Sequence, residues 1–407
     1  MAAGALVAGC ATESPTRTPP LTGVTTAPEW NAVFERTEGW IGGDGAATAY
    51  LFKDNVIWLF GDSGVGRVEG GKYAQGSTLV NNAVAIHKRA YGDKRGTPPE
   101  PDEIRFAWGR PGADGKPTAL FIPPRPGEWY WPTGGGWEFY ENGPNLVLFM
   151  SRLFRPRERD DGVWNFEGRG SDLVVISKPG RDPGQWRSRT VPTPGAVGPD
   201  LKPPARRITW GTSVCTGGSS CSGRVFIYGV DTTEPLNKRV LLASASRAEE
   251  IAEPAKWLFW NGAKGDPWTP RLEDAVPIAD HAMDEFSVSS LPPPAGGLPP
   301  PGMDTNWYVL IHSQELLGRK ILARTARSPA GPWSEPKVLY ECPGPLADKR
   351  LMAYSAKAHP ELSREGELLV SYCVNSSDFW HMLSDASIYR PRFIRVPLSA
   401  LPDPPAP

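Results

Sequence analysis

The chain of 407 residues carries 44 Lys and Arg against 45 Asp and Glu, a balance that excludes the broad positive field of a nucleic-acid-binding protein. No run of basic residues marks a membrane surface, and no segment after residue 28 has the ~18 apolar residues that a membrane-spanning helix needs. Sixteen Trp and eleven Tyr offer rings that can stack on sugars, while 44 Gly and 45 Pro spread along the chain are typical of many short strands joined by turns.

The first ten residues resemble the end of a bacterial lipoprotein signal, because Leu6-Val7-Ala8-Gly9 leads directly to Cys10. A run of small residues that ends in cysteine also arises by chance, and no charged segment precedes this one. Residues 11–28 are rich in Thr, Pro and Ser, which predicts a flexible tether. We therefore expect an exported protein that is periplasmic, secreted or held at the cell surface by a lipid on Cys10.

Residues 29–398 have almost no helical periodicity and instead repeat short apolar runs bounded by Gly, Pro, Asp or Asn. The strongest runs cover residues 56–61, 146–150, 225–229, 307–311 and 368–372. Each follows a turn and another strand-like stretch, and most are followed by two more. Five copies of a four-stranded unit predict one five-bladed β-propeller over residues 29–398, with a Pro-rich tail at 399–407. A β-sandwich with long loops is the alternative, but it fits five such periods poorly.

The first repeat contains two aspartates in mirrored positions. Its sequence predicts a strand, a tight turn at Lys53-Asp54 and a second strand, and Asp44 and Asp62 are equally far from this turn. Folding the hairpin brings both carboxylates to the same open end, with Cβ atoms about 4.5–5.5 Å apart. Two carboxylates this close share a proton over part of the pH range, as acid–base chemistry on a glycosidic bond requires. The alternative is that each aspartate caps a turn.

Other polar and aromatic residues stand at the mouth of the predicted channel, most of them where the first strand of a repeat begins. Asn81 is instead predicted on the third strand of the first repeat, and Asn375 at the end of the second strand of the fifth. Glu285 begins the inner strand of the fourth repeat and is a further catalytic candidate, although it could instead pair with an arginine between blades. His359 could bind substrate or be a packed structural histidine. Because the strand starts differ between repeats, one asymmetric site is favoured over repeated shallow sites. The candidates for substrate binding are Trp131, Glu138, Trp210, His359, Asn81 and Asn375.

Four cysteines remain after Cys10. Cys215 and Cys221 flank a Gly/Ser loop, which predicts a short disulfide, and Cys342 and Cys373 are the remaining pair. Four cysteines allow three pairings, and the sequence does not choose among them. Two disulfides suit the oxidising compartment of an exported protein. Neither a Cys-x-x-Cys spacing nor a nearby histidine pair favours zinc.

Four groups of segments are informative together: Trp58-Leu59-Phe60-Gly61-Asp62-Ser63, Asn81-Asn82-Ala83-Val84-Ala85, Trp131-Pro132 with Gly134-Gly135-Gly136, and Lys357-Ala358-His359-Pro360-Glu361 with Ser371-Tyr372. These segments resemble one bacterial family of five-bladed β-propellers, long of unknown function. Its characterised members include endo-D-arabinofuranases, also called endo-D-arabinanases, which cleave the D-arabinan of mycobacterial arabinogalactan and lipoarabinomannan. The resemblance covers most of residues 29–398 and implies that Asp44 and Asp62 are the catalytic pair. The insertion between Cys215 and Cys221 departs from the family, so the preferred substrate could differ.

The residues and the resemblance together predict an endo-acting glycoside hydrolase of furanose polymers, with D-arabinan as the expected substrate. Asp44 and Asp62 would carry the acid–base chemistry, assisted by Glu285 and Glu138. No serine-hydrolase elbow, zinc-protease motif or phosphate-binding loop occurs, so we expect neither a metal ion nor a cofactor. The alternatives are a non-catalytic glycan-binding lipoprotein on the same fold and a scaffold for protein partners. We expect a monomer whose partner is a polysaccharide or oligosaccharide rather than nucleic acid.

Overall fold

The computed structural model describes residues 23–52, 55–89, 95–156, 165–196, 206–216, 223–234, 237–280, 283–291, 307–314 and 318–406. Within these ranges the chain forms 26 strands, three short α-helices and several single 3-10 turns, so the predicted all-β class is confirmed. No helix in the described part of the chain is long and apolar enough to span a membrane.

The first part of the chain forms one four-stranded sheet and a small accessory sheet. After β1 (Thr25–Thr26) and α1 (Pro28–Val33) come β2 (Glu38–Gly43), β3 (Ala47–Leu51), β4 (Asn55–Phe60), β5 (Ser63–Glu69), β6 (Lys72–Tyr73), β7 (Thr78–Val80), β8 (Ala83–His87) and β9 (Ile104–Ala107). Sheet I has the order β3-β4-β8-β9, and the accessory sheet joins β2, β5, β6 and β7. The turn predicted at residues 53–54 lies outside the described residues, but β3 and β4 pair as the predicted hairpin.

Two antiparallel sheets follow along the chain. Sheet II consists, in order, of β10 (Glu128–Tyr140), β11 (Pro144–Phe154), β12 (Glu167–Ser177) and β13 (Arg187–Pro192). Sheet III consists of β14 (Ile208–Thr216), β15 (Val225–Asp231), β16 (Arg239–Ala245) and the short strands β17 (Leu258–Trp260), β18 (Trp268–Thr269) and β19 (Ala279–Asp280).

The last two sheets close the chain on itself. Sheet IV consists, in order, of β20 (Phe286–Leu291), β21 (Trp307–Ser313), β22 (Lys320–Ala326) and β23 (Lys337–Glu341). After α2 (Pro343–Ala347), sheet V contains β24 (Leu351–Ala358), β25 (Glu367–Ser376) and, beyond α3 (Phe379–Ser384), β26 (Pro391–Pro397). The N-terminal strand β1 pairs with β26 and completes sheet V. Within the described residues the 3-10 turns are Pro183–Gln185, Ala248–Ala252, Pro254–Lys256, Leu272–Asp274, Pro360–Leu362 and Leu398–Ala400.

The second strand of each sheet contains one of the apolar runs predicted from the sequence, and packing explains why these runs are continuous. Along β4, Val56, Trp58 and Phe60 belong to one core cluster, whereas Ile57 and Leu59 belong to another. Successive side chains of a strand point to opposite faces, so both faces of β4 are buried. A strand buried on both faces reads as an unbroken apolar run rather than as an alternation.

In the part of the chain that the structure describes, five core clusters lie between the sheets, and each cluster joins two neighbouring sheets. Four of them join consecutive sheets from I to V, and the fifth joins sheet V to sheet I with Trp30 and Phe34 from the start of the chain. The first strands also contact one another in sequence: β3 with β10, β10 with β14, β14 with β20 and β20 with β24. The sheets therefore close into a ring around their first strands.

The first strands of sheets II, III and V each change register at a bulge near their middle. Residues before these bends line one cavity, and residues after them line a second cavity. The bends thus divide the centre of the ring into two sites with different side chains. Positive φ at or beside the bends, and just before β3, is found at Ala46, Gly134, Gly211 and Ser355.

The predicted disulfide between Cys342 and Cys373 is wrong, because both are free, buried thiols. Cys342 lies in the core cluster between sheets IV and V, together with Tyr372 and Val374 of β25. Cys373 stands between these two residues on the same strand. The alternation of the strand therefore turns the Cys373 side chain to the opposite face, away from Cys342.

Two other cysteine predictions depend on residues 10 and 221, which lie outside the described residues. Cys215 is buried on β14. Lipid attachment at Cys10 and the bridge between Cys215 and Cys221 stay predictions.

Candidate active site

The larger cavity is an open cleft of about 800 Å³ at one end of the first strands. Residues from sheets I, II, III and V and from the segment before β20 line it, and its volume is in the usual range of ligand sites. The carboxylates of Asp44, Asp62 and Glu285 are among the lining groups. Within the described residues, no group of three or more His, Cys, Asp or Glu side chains is placed to hold a metal ion.

Backbone pairing sets Asp44 and Asp62 opposite each other, as their mirrored positions predict. The register of β3 with β4 and that of the ends of β2 and β5 both lead to this pairing. The Asp44 N–H donates to the Asp62 carbonyl oxygen at 3.3 Å, and the Gly61 N–H donates to the Asp44 carbonyl oxygen at 3.0 Å. A Cβ on Gly61 would collide with Asp44 Oδ1, so glycine at this position leaves room for the carboxylate.

Asp62 accepts hydrogen bonds from two side chains of the cleft wall. Trp131 Nε1 donates to Asp62 Oδ1 at 2.7 Å, and Asn81 Nδ2 donates to the same oxygen at 3.1 Å. Trp131 lies on β10, and Asn81 directly follows β7 in the connection to β8, so sheet II and this connection together orient the carboxylate. Burial raises the pKa of Asp62, and the two hydrogen bonds oppose this rise because they favour the ionised form.

Asp44 accepts hydrogen bonds from two tyrosines of the opposite wall. Tyr354 OH donates to Asp44 Oδ2 at 2.6 Å, and Tyr389 is the second donor. Burial raises the pKa of Asp44 to about 7, and the negative charges of Asp62 and Glu285 add to the rise. The carboxylate cluster therefore holds a proton up to about neutral pH, so that an acid and a base are present together.

Glu285 reaches the cleft from the segment before β20 and is paired with a lysine rather than with an arginine. Lys357 Nζ, on β24, donates to Glu285 Oε1 at 3.1 Å. The same ammonium group donates to the carbonyl oxygen of Gly45, the neighbour of Asp44, at 3.3 Å. Glu285 and the turn that carries Asp44 are thus held by one cation.

An aromatic wall, formed by Trp129, Trp131 and Phe166, flanks Asp62 on the side of sheet II. The ring centroids of Trp131 and Phe166 are 4.8 Å apart, and those of Trp129 and Trp131 are 6.2 Å apart, with the rings steeply tilted. Side chains of sheet V and α3, among them Asn375 and Phe379, line the opposite side. An apolar wall next to hydrogen-bonding groups suits a ligand with apolar faces and a polar rim.

Trp210 lies outside the cleft, so the prediction that it binds substrate is wrong. It is buried in the core between sheets II and III, where its Nε1 donates to the Pro194 carbonyl oxygen at 2.9 Å. Pairing of β14 with β15 shifts between Trp210 and Ser213. The bulge decides which residues of this strand face the cavities.

His359 also lies outside the cleft and has a structural role in place of the predicted one. It is buried against Trp58, with ring centroids 5.2 Å apart. Its ring nitrogens share hydrogen bonds with Thr48 Oγ1 at 2.6 Å and with Ser371 Oγ at 2.8 Å. Burial lowers the pKa of His359 to about 3, so the ring stays neutral and joins sheets V and I.

Glu138 stands on the predicted strand but at the wrong end for a role in the cleft. It follows the bulge of β10, whereas Trp131 precedes it. Glu138 Oε2 accepts a hydrogen bond from the Phe52 N–H at 2.7 Å, and Glu138 lines the second cavity of about 470 Å³. It is therefore separated from the carboxylate cluster.

Sequence reasoning missed three residues of the site: Tyr354, Tyr389 and Lys357. Lys357 lies two residues before His359 in a segment that the sequence marks as informative, and Tyr354 is three residues further upstream. Alternation puts these two residues on opposite faces of the strand, so the sequence pattern could not have found both. The bulge between Tyr354 and Lys357 brings both of them to the site. Tyr389 comes from the connection between α3 and β26, where no local pattern points to a site.

A comparison with solved structures finds the same overall fold in a distant protein. A protein from Bacteroides ovatus ATCC 8483, described as a "putative hydrolase", is 20% identical and has a TM-score of 0.67 over 94% of this chain and 93% of its own. An exo-β-1,3-galactanase from Phanerochaete chrysosporium is 9% identical, with a TM-score of 0.42 over 94% of this chain and 67% of its own. An exo-β-1,3-galactanase from Clostridium thermocellum is 8% identical, with a TM-score of 0.41 over 93% and 64%. The galactanase likenesses are too weak to carry an argument about this chain.

No curated protein matches the chain. A family model described as a domain of unknown function, DUF5005, matches residues 28–398. This range begins with α1 and ends directly after β26, so it contains sheets I to V apart from β1, and every residue of the carboxylate cluster. The chain therefore belongs to the DUF5005 family.

Proposed function

We propose that this protein is a glycoside hydrolase that cuts within furanose polymers, and that the D-arabinan of mycobacterial arabinogalactan and lipoarabinomannan is its substrate. The observation that carries the proposal is the opposed pair of Asp44 and Asp62 in an open cleft, where the pKa of Asp44 is raised to about 7. A pair of carboxyl groups that holds one proton near neutral pH is what cleavage of a glycosidic bond requires.

The proposed scaffold is a five-bladed β-propeller with sheets I to V as its blades. Support comes from the order of strands in each sheet and from the core clusters between consecutive sheets. The completion of sheet V by β1 gives further support, because it joins the two ends of the ring. In such a ring one mouth of the channel receives residues from several blades, and a single asymmetric site can form there.

In the proposed reaction Asp44 is the acid. Its proton passes to the glycosidic oxygen while the bond between this oxygen and the anomeric carbon breaks. Asp62 is ionised, and it either attacks the anomeric carbon or takes a proton from the water that attacks it. Burial raises the pKa of both aspartates. The assignment rests on the charges of Asp62 and Glu285, which raise the pKa of Asp44 further, and on the Trp131 and Asn81 donors, which favour a charged Asp62. If Asp62 attacks, water then displaces it from the anomeric carbon, and the ionised Asp44 takes the proton of this water, which restores the acid. If Asp62 activates the water instead, it ends with the proton of that water, which returns to Asp44 after the product leaves.

The aromatic wall beside Asp62 supports a sugar polymer as the substrate, because apolar ring faces can cover the C–H face of a sugar. The choice of D-arabinan rests on the resemblance of several segments to the family that includes endo-D-arabinofuranases. The Bacteroides ovatus protein of the same fold is described in terms of the same broad reaction class.

The test is to incubate the protein with mycobacterial arabinogalactan and to separate the products. We expect a ladder of arabinose oligosaccharides, which distinguishes internal cleavage from release of single sugars. Asp44→Asn and Asp62→Asn should each lower the rate by about a hundredfold or more, because an amide cannot exchange the proton. Asp348→Asn is the matched control, because Asp348 does not line the cleft, and it should keep full activity.

A substrate with a good leaving group separates the two roles. On 4-nitrophenyl arabinofuranoside, Asp44→Asn should lose much less activity than Asp62→Asn, because this leaving group hardly needs protonation. Activity on arabinan close to that of the unmodified protein in both variants would overturn the catalytic pair. Binding of arabinogalactan without any release of product would indicate the glycan-binding alternative.

A further inference from the structure

Lys357 is a buried lysine that uses all three of its N–H donors. Its side chain is 3% exposed. Nζ donates to Glu285 Oε1 at 3.1 Å, to the Gly45 carbonyl oxygen at 3.3 Å and to Ser355 Oγ. An ammonium group has three donors, so the burial of this charge is fully compensated by hydrogen bonds. Because its partners belong to three parts of the chain, Lys357 joins sheets I, IV and V.

The position of Lys357 is at the boundary between the two cavities. Lys357 itself lines the second cavity, whereas its partners Glu285 and Gly45 line the cleft. Ser355, which has positive φ, also donates to the Gly45 carbonyl oxygen at 3.3 Å. The bend of β24 and the turn that carries Asp44 are therefore tied together at this point.

The charges around Lys357 do not balance. The only cation that contacts the carboxylate cluster in the described part of the chain is its ammonium group, against the three acids Asp44, Asp62 and Glu285. The uncharged titratable groups around them are Tyr354, Tyr389, Cys373 and His359. The other charged residues that line the cleft are Arg155, Glu167, Arg207 and the ion pair of Lys238 with Asp284.

We propose that Lys357 is the positioning residue of the carboxylate cluster: it holds Glu285 beside Asp44 and offsets one of the three negative charges. With this cation in place, the cluster takes up a single proton near neutral pH. Without it, the remaining like charges lie in a partly buried site, and the cluster binds its protons at higher pH. The role of this charge balance in catalysis rests on the proposed function. The charge balance between Lys357 and the carboxylates is itself a property of the fold.

The test follows the carboxyl groups directly by ¹³C NMR of protein labelled at the Asp and Glu carboxyl carbons. Signals that titrate near neutral pH stand apart from those of ordinary acids, and Asp44→Asn identifies them. In Lys357→Met their midpoint should rise by about one pH unit or more. In Glu285→Gln it should fall, because the charge that raises the pKa of Asp44 is gone. Shifts of opposite sign would not arise from simple loosening of the site.

The double variant Lys357→Met/Glu285→Gln keeps the proposal testable even if Lys357→Met does not fold. It removes both charges of the pair, so no unpaired charge is left and the midpoint should return to within about half a unit of its original value. A folded Lys357→Met protein with an unchanged midpoint would overturn the proposal. A double variant with a midpoint more than one unit away would do the same.

Activity gives a second and separable measurement. If the unmodified protein cleaves arabinan, Lys357→Met should lower kcat with little change in KM and should move the pH optimum upward with the NMR midpoint. Lys357→Arg should restore the midpoint, because it restores the charge. If the unmodified protein cleaves no polymer, the proposed function fails, and the NMR midpoints still decide the role of Lys357.

Discussion

Among single residues, Asp44 has surroundings that oppose its ionisation most clearly. Burial and the charges of Asp62 and Glu285 raise its pKa, and the donors Tyr354 and Tyr389 offset only part of this rise. The folded protein therefore holds a proton on Asp44 that the unfolded chain releases at much lower pH. Such an arrangement costs stability, which is common where a site is arranged for chemistry rather than for folding.

The pH dependence of stability tests this description of Asp44. Its pKa is about 7 in the folded protein and about 3.9 in an unfolded chain. Its contribution to stability is complete below about pH 4 and is lost as the pH rises to about 7. The amide of Asp44→Asn does not titrate, so this variant does not lose stability in the same way. The difference in free energy of unfolding between the variant and the unmodified protein should therefore shift in favour of the variant from pH 5 to pH 8, by an amount on the order of a few kcal/mol.

Urea denaturation of both proteins at several pH values provides the measurement. Asp348→Asn is the control, because hydrogen bonds with Arg350 lower the pKa of Asp348 to about 2. Its effect on stability should be constant over the same pH range. A difference between Asp44→Asn and the unmodified protein that does not change with pH would contradict the raised pKa.

Among the elements of the fold, β10 contributes most to the cleft. Its residues before the bulge provide Trp129 and Trp131 of the aromatic wall, and Trp131 also orients Asp62. Its residues after the bulge, including Glu138, belong to the second cavity. One strand thus supplies the aromatic wall of the cleft at one end and the lining of the second cavity at the other, and the bulge separates the two.

Truncation of Trp129 tests the aromatic wall without touching the carboxylates. We expect Trp129→Ala to raise KM for arabinan roughly fivefold with little change in kcat, because a stacking contact contributes about 1 kcal/mol. Tyr140→Ala is the matched control, since Tyr140 is 70% exposed at the far end of β10 and should leave both constants unchanged. Steady-state kinetics that show a fall in kcat alone would contradict a binding role.

For the whole molecule, closure of the ring depends on the start of the chain. β1 pairs with β26, and the Ala27 N–H donates to the Phe393 carbonyl oxygen at 2.9 Å. Trp30 then packs between Trp58 of sheet I and Phe393 of sheet V, with ring centroids 6.2 and 5.9 Å apart. The site also depends on this closure, because the hydrogen bond from Tyr354 to Asp44 crosses it. Asp44 lies on the side of sheet I, and Tyr354 lies on sheet V.

Loss of the Trp30 side chain should therefore destabilise the entire protein. Trp30 is 0% exposed, and we expect Trp30→Ala to lower the free energy of unfolding by about 3–5 kcal/mol. Trp380→Ala, at a tryptophan that is 74% exposed, should change it by less than about 0.5 kcal/mol. Chemical denaturation followed by circular dichroism measures both. Similar stability of the two variants would show that the packing of Trp30 against Trp58 and Phe393 does not hold the ring closed.

What the sequence alone determined are the features with local causes. The continuous apolar run of β4 predicts a strand that is buried on both faces. The mirrored positions of Asp44 and Asp62 predict their pairing, because a hairpin depends on residues that are close in the chain. The repeat pattern, rather than the hairpin, indicated Trp131 and Asn81, which donate hydrogen bonds to Asp62.

Only the tertiary structure decided which distant residues complete the site and which candidates are excluded from it. Tyr354 contacts Asp44 across 310 residues of sequence, and Lys357 and Tyr389 come from the same distant part of the chain. Trp210 and His359, which were candidates for substrate binding, are buried in the core. The physical reason is that a bulge shifts the alternation of a strand by one residue, and that packing between whole sheets, rather than local sequence, sets which strand ends meet at the cleft.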